Sequence, residues 1–193
     1  MPYRMVVIGT SLGGLTALEI LLARLPAGFP VPVVIVQHRD VRSHSLSMIL
    51  QRSTRLRVRE PQDKDPYVPG TVYLAPPDYH LLIEAEGHAL STDAPVCHAR
   101  PSIDVLFESA AEVFQRSVIG VILTGASSDG ARGAAALKRA GGHLIVQEPS
   151  SAECGSMPAA TLQATSADQV LPLADIASAL VKLCVTGGGK GGV

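Results

Sequence analysis

Short apolar runs rich in Val and Ile recur along the chain, and several end abruptly in a small or reactive residue. Met5 to Ile8, Val33 to Val36 and Val118 to Leu123 are continuous rather than alternating, as expected of strands buried on both faces of a parallel sheet. Between such runs the pattern changes to helical spacing. The chain is expected to pass from strand through a glycine turn into a helix over 4–25, with Pro26 and Gly28 closing that helix. A second strand ends at His38, and a short helix is expected around 45–51. Strands are expected over 55–60, where basic residues alternate, and over 71–75. Pro76-Pro77 then breaks the chain before a hairpin, in which 79–84 and 88–92 flank Glu86-Gly87.

Ser102 follows Pro101 and is placed to cap a helix running to about Arg116. A strand over 118–123, a helix over 130–140 and a strand over 143–147 come next, and helices near 157–164 and 172–184 complete the pattern. The expected fold is therefore α/β, a Rossmann-like three-layer sandwich with a mostly parallel sheet and a small antiparallel hairpin. No internal repeat or linker divides it. Residues 1–186 are expected to form one domain and 187–193 a flexible glycine-rich tail.

Composition narrows the function classes. A formal net charge of -1 gives no general electrostatic reason to bind nucleic acid or an anionic membrane, and the absence of tryptophan removes one stacking platform for bases. Arg52, Arg55, Arg57 and Arg59 form a basic run that is expected to be a solvated strand face. Asp, Glu, Arg, Gly or Pro interrupts every apolar run before membrane-spanning length, so no membrane insertion is expected. Cys97, Cys154 and Cys184 are odd in number and far apart, which fits free thiols in a reducing, cytoplasmic setting. His44, His80, His88, His98 and His143 lack paired ligand spacing, so no metal is expected.

The candidate chemistry lies where apolar runs end. Gly9-Thr10-Ser11-Leu12-Gly13 satisfies Gly-x-Ser-x-Gly, in which glycines let a strand turn sharply into a helix while the central hydroxyl stands clear. A helix-capping serine in an anion-binding loop is the competing interpretation. A dinucleotide loop fits less well, because Ser11 occupies the place of the glycine that lets the backbone approach a pyrophosphate. The acid expected to bind a ribose is also missing from the next strand's end, which reads Gln37-His38, with Asp40 two residues on. Gly187 to Gly192 resembles a phosphate loop superficially, but no Ser or Thr follows Lys190, so no nucleotide cofactor is expected.

His38 alone could be structural, and Asp129 alone could cap the helix starting at Gly130. Together with Ser11 they occupy the carboxyl rim of a parallel sheet, where ligands bind. A serine hydroxyl needs an imidazole to take its proton and a carboxylate to fix the imidazole tautomer. Their order along the chain, Ser then His then Asp, differs from that of the α/β-hydrolase fold.

From Met5 to about Leu183 the chain resembles the chemotaxis protein-glutamate methylesterases. The segments carrying this resemblance are Gly9-Thr10-Ser11-Leu12-Gly13-Gly14, Val36-Gln37-His38, Tyr73 to His80, Arg100 to Phe107, Gly120 to Gly125, Asp129-Gly130-Ala131 and Met157-Pro158. The resemblance implies Ser11 as nucleophile, His38 as general base, Asp129 as its orienting acid, and main-chain N–H groups at Leu12 and Ala126 as oxyanion donors. It implies hydrolysis of glutamate γ-methyl esters on the cytoplasmic helices of methylated chemoreceptors or related sensory proteins, releasing methanol; related enzymes also deamidate selected glutamines. It implies no cofactor.

The chain also departs from the family pattern. Leu12 replaces a usual threonine, Ala126-Ser127 a Met-Gly pair, Arg39 a methionine and Ala99 a histidine; 151–156 is less apolar than usual. Many family members carry a phosphorylatable receiver domain, whereas this sequence starts at the catalytic domain's first strand. Three alternatives stay open: a receiver domain trimmed from a longer chain, action alone, or action under a separately encoded response regulator. An esterase for a different substrate, or a catalytically impaired module that binds a signalling partner, are the alternatives.

Overall fold

A computed structural model describes residues 3–38 and 46–186; Arg39, Asp40, His44, Ser45 and the expected tail 187–193 lie outside the described residues. Seven strands form one parallel sheet: β1 (Met5–Thr10), β2 (Val33–Gln37), β3 (Arg57–Arg59), β4 (Thr71–Leu74), β7 (Val118–Ile122), β8 (His143–Gln147) and β9 (Gln169–Leu171). Their order is β3-β4-β2-β1-β7-β8-β9. Strands β5 (His80–Ile83) and β6 (His88–Ser91) form the expected antiparallel hairpin, with Ile83 opposite His88.

Every residue of β1 and β7 is buried, which is why their sequences read as uninterrupted apolar runs. Alternate side chains feed two cores. Val6 and Ile8 pack with α1 (Gly14–Ala23), α2 (Leu46–Ser53) and α6 (Leu173–Val181). Met5 and Val7 pack with α3 (Ile103–Phe114), α4 (Ala131–Arg139), Met157 of α5 (Ser156–Ala164), and the hairpin's Leu81 and Ile83. This is a three-layer sandwich. The docking face of α3 follows from its spacing, since Ile103, Leu106, Phe107, Ala110, Ala111 and Phe114 are all buried.

Several boundaries differ from the sequence expectations. The strand expected over 55–60 shortens to β3, an edge strand that among the described residues pairs with β4 alone. The helix opened by Ser102 ends at Phe114 and tightens into a 3₁₀ turn over Gln115–Ser117, the usual way a last turn satisfies its carbonyls. Strand β9 had no counterpart in the sequence pattern. It has three residues and, among the described residues, pairs with β8 alone.

The register fixes where the rim lies. Thr10 of β1 is opposite Gln37 of β2, and Gly9 is opposite both Val36 and Ile122. The three strands therefore end at one level. From β1 the chain first fills one side of the sheet, laying down β2, then the edge strand β3, then β4 between them, and afterwards returns to add β7 on the other side. The β1/β7 boundary is the topological switch point, where open parallel sheets hold ligands.

Candidate active site

Ser11, His38 and Asp129 follow β1, β2 and β7, and backbone hydrogen bonds lash these exits together. The Ser11 N–H donates to Thr124 O at 3.0 Å, His38 N–H to Thr10 O at 3.1 Å and Leu123 N–H to Gly9 O at 3.0 Å. The Thr10 hydroxyl also donates to Thr124 O at 2.8 Å. After Ser11 the chain turns through Gly13, whose φ of 77° lies in the left-handed region that glycine adopts at least cost. Helix α1 starts at the next residue. Gly125 lets the β7 loop pass close to the serine, since a Cβ there would lie 3.0 Å from Ser11 Cβ.

Ser11 and His38 line one cleft of about 440 Å³, with Leu12, Gly13, Gly14, Leu15, Thr16, Gln37 and Glu153. Leu12 stands 55% exposed at its lip. His38 also borders a second hollow of about 290 Å³, whose other walls include Cys97, His98, Arg100 and Ser127. Cys97 and His98 form a tight turn with φ of 49° and 62°, closed by reciprocal backbone hydrogen bonds between Val96 and Ala99. Arg100 is committed to structure: it donates to Asp78 Oδ1 and to the carbonyls of Thr92 and Asp93.

His38 Nε2 lies 2.7 Å from Asp129 Oδ2, with the imidazole 16% exposed and the carboxylate fully buried. An ionised carboxylate only accepts hydrogen bonds, so Nε2 carries the proton and Nδ1 is the imidazole's acceptor. The usual serine-hydrolase arrangement has these nitrogens in the opposite roles. Three further donors hold Asp129: the Ile103 N–H at 2.7 Å, the Asp104 N–H at 3.0 Å and the Ser102 hydroxyl at 2.8 Å. Two of these are free N–H groups of the first turn of α3, where an anion is favoured. Ser127 Oγ accepts the Asp129 N–H at 3.0 Å and fixes the acid's own loop.

Asp104 returns the arrangement from the other side. Its Oδ1 accepts the N–H groups of Gly130 at 2.9 Å and Gly133 at 2.7 Å, at the start of α4. Each helix thus receives its N-terminal anion from the other's acid. Burial works to raise the Asp129 pKa, but hydrogen bonds, His38's first among them, outweigh it and hold the pKa below its ordinary value. Asp104 goes the other way: burial raises its pKa, helped by the Asp129 charge and opposed by the Gly133 N–H and the Arg132 guanidinium. Cys97, Asp104 and Asp129 place ligand-type atoms within 4.8 Å of one another. These acids are engaged by backbone donors, and burial pushes the Cys97 thiol pKa up, away from the thiolate that binds metals.

A depressed folded-state pKa contributes stability above the unfolded value and loses it as pH falls through the folded value. The Asp129 contribution is therefore expected in full well above the ordinary value of 3.8 and to be lost progressively as pH falls below it through the lowered folded-state value. Urea unfolding from pH 6 to 2 should show the wild type losing stability more steeply in that acid window than Asp129→Asn. Parallel profiles would mean that the carboxylate is not held in its charged form.

The oxyanion donors implied by the resemblance are Leu12 and Ala126. Ser11 N–H and Gly125 N–H are committed, to Thr124 O and Cys154 O respectively. Those of Leu12 and Ala126 make no hydrogen bond among the described residues. The Leu12 carbonyl is anchored by the Thr124 hydroxyl at 2.9 Å.

The structure brings Ser11 and His38 to one cleft and joins His38 to Asp129 directly. Ser102 was expected only as a helix cap; it caps α3 and also donates to Asp129. The part played by Asp104 had no sequence signal, because an acid in the first turn of a helix is ordinary.

The model of the CheB methylesterase family matches residues 6–180. A putative protein-glutamate methylesterase/protein-glutamine glutaminase of Leptospira interrogans is 45% identical over 185 residues, covering 95% of this chain and 96% of that protein. The protein-glutamate methylesterase/protein-glutamine glutaminase of Symbiobacterium thermophilum is 41% identical over 184 residues; the match takes in 94% of this chain but only 51% of that protein. Among solved structures, the Thermotoga maritima CheB methylesterase catalytic domain superposes with a TM-score of 0.91 at 35% identity, covering 95% of this chain and 100% of that one.

Proposed function

The chain belongs to the CheB methylesterase family, and from that premise we propose that Ser11, His38 and Asp129 hydrolyse glutamate γ-methyl esters on chemoreceptors. Ser11 Oγ attacks the γ-carbonyl carbon and gives its proton to His38 Nδ1. The main-chain N–H groups of Leu12 and Ala126 hold the resulting oxyanion, a role that does not depend on side-chain identity. Collapse of the tetrahedral intermediate breaks the C–O bond, and the imidazolium returns the proton to the leaving methoxide, giving methanol. Water, deprotonated by His38, then attacks the acyl-serine and releases the glutamate carboxylate with free Ser11. A glutamine substrate follows the same path with ammonia leaving.

Asp129 keeps Nε2 protonated and stabilises the imidazolium formed in each half-reaction. The observation that carries this proposal is the 2.7 Å His38–Asp129 contact beside the cleft shared by His38 and Ser11. Receptors embedded in a membrane would be met from outside the bilayer, since among the described residues no helix is long and apolar enough to cross one.

The test is methanol release from methylated receptor membranes, run beside hydrolysis of a generic activated ester. Activity on both supports the proposal. Activity on the generic ester alone means that the substrate has changed, and activity on neither indicates a binding module.

A further inference from the structure

The loop between β8 and α5 crosses the start of α1 and brings Glu153 over the nucleophile turn. A Cβ on Gly13 would fall 2.6 Å from Glu153 Oε2 and 2.8 Å from Glu153 Cβ. The carboxylate therefore lies against the residue two positions beyond Ser11, in the cleft that Ser11 and His38 line. Glu153 is exposed, and it forms no ion pair or hydrogen bond among the described residues. The other lining residues, Leu12, Leu15, Thr16 and Gln37 among them, supply no lysine or arginine.

The cleft beside the nucleophile thus has a negative charge from Glu153, with no cation among its described lining. Glutamyl methyl esters and glutamines are neutral, so the charge does not address the reacting group itself. Side chains three or four residues away on the same helical face lie about 5–6 Å from the reacting one, within reach of the cleft.

We propose that Glu153 is a specificity-determining residue: it selects modified glutamates that carry a lysine or arginine one helical turn away and disfavours those with an acid there. This rests on the esterase function proposed above. Two charges about 6 Å apart in water-like surroundings interact strongly enough to change kcat/KM about 3-fold in either direction, and hence about 10-fold between a basic and an acidic neighbour. The preference should weaken with added salt.

The experiment uses three helical peptides, each with one glutamate γ-methyl ester and with Lys, Gln or Glu at the positions four residues to either side. kcat/KM is read from methanol release. With the wild type the Lys peptide is expected to exceed the Gln peptide about 3-fold and the Glu peptide about 10-fold, narrowing at 0.5 M salt. Glu153→Gln is expected to bring the three within about 2-fold, and Glu153→Lys to reverse their order. A wild type indifferent to the neighbour, or a ranking that persists in Glu153→Gln, overturns the selection role while leaving the esterase function standing. No methanol from the neutral Gln peptide with the wild type overturns the esterase function itself, a result read without any Glu153 variant.

Discussion

Ser11→Ala is expected to lower methyl-ester hydrolysis by on the order of 10⁴- to 10⁶-fold while the protein stays folded. The hydroxyl supplies the only bond the enzyme forms to the acyl group in the proposed path. The backbone of Ser11 supports the fold: its N–H is held by Thr124 O and its carbonyl accepts the Gly14 N–H at 2.9 Å, bonds that alanine keeps. Circular dichroism and the urea midpoint should be nearly unchanged. Adding His38→Ala to the serine variant should cost little more, because members of a triad act as a unit. Near-normal turnover in Ser11→Ala would remove it as nucleophile, and strictly additive losses would give the serine and histidine separate roles.

Asp129→Asn should lower turnover by roughly 10⁴-fold, as is typical when the orienting acid of a triad becomes an amide. It should also destabilise the protein by about 2–4 kcal/mol, since hydrogen bonds to a charged group each contribute about 1.5–3 kcal/mol. His38 Nε2 and the Ile103 N–H donate to Oδ2, while the Ser102 hydroxyl and the Asp104 N–H donate to Oδ1. An asparagine has one acceptor oxygen, so its NH₂ must face one of these donor pairs. If that amide turns toward His38, it drives the proton to Nδ1 and leaves the serine without a base. Urea unfolding and kcat measured on the same preparation separate the two effects. A variant with lost activity and full stability would mean that the helix ends do not depend on this carboxylate.

The proposed triad was legible in the sequence because Ser11 and His38 directly follow buried strands and Asp129 stands in the loop after another, and such strands announce themselves as uninterrupted apolar runs. Helix α3 was legible through the spacing of its buried face and the serine before it. Strand β9 was not, since three residues carry too little periodicity and Val170 at its centre is 44% exposed. The Cys97-His98 turn was also hidden, because positive φ is signalled most strongly by glycine and here falls on a cysteine and a histidine. The exchange of caps between Asp104 and Asp129 lay beyond any local pattern. It joins residues 25 apart in sequence through the N-termini of two different helices, so only the packed arrangement of α3 against α4 reveals it.

On the proposed mechanism, that exchange makes selection act twice on one carboxylate, once for turnover and once for folding. A descendant of this protein that gave up hydrolysis would still need both acids to hold its two helices together, whereas among the described residues nothing would retain the hydroxyl of Ser11. Decay of function should therefore erase the serine first and leave the aspartates behind as a fossil of the site. In judging whether a related chain still works as an esterase, the acid pair testifies to ancestry, and the serine to present use.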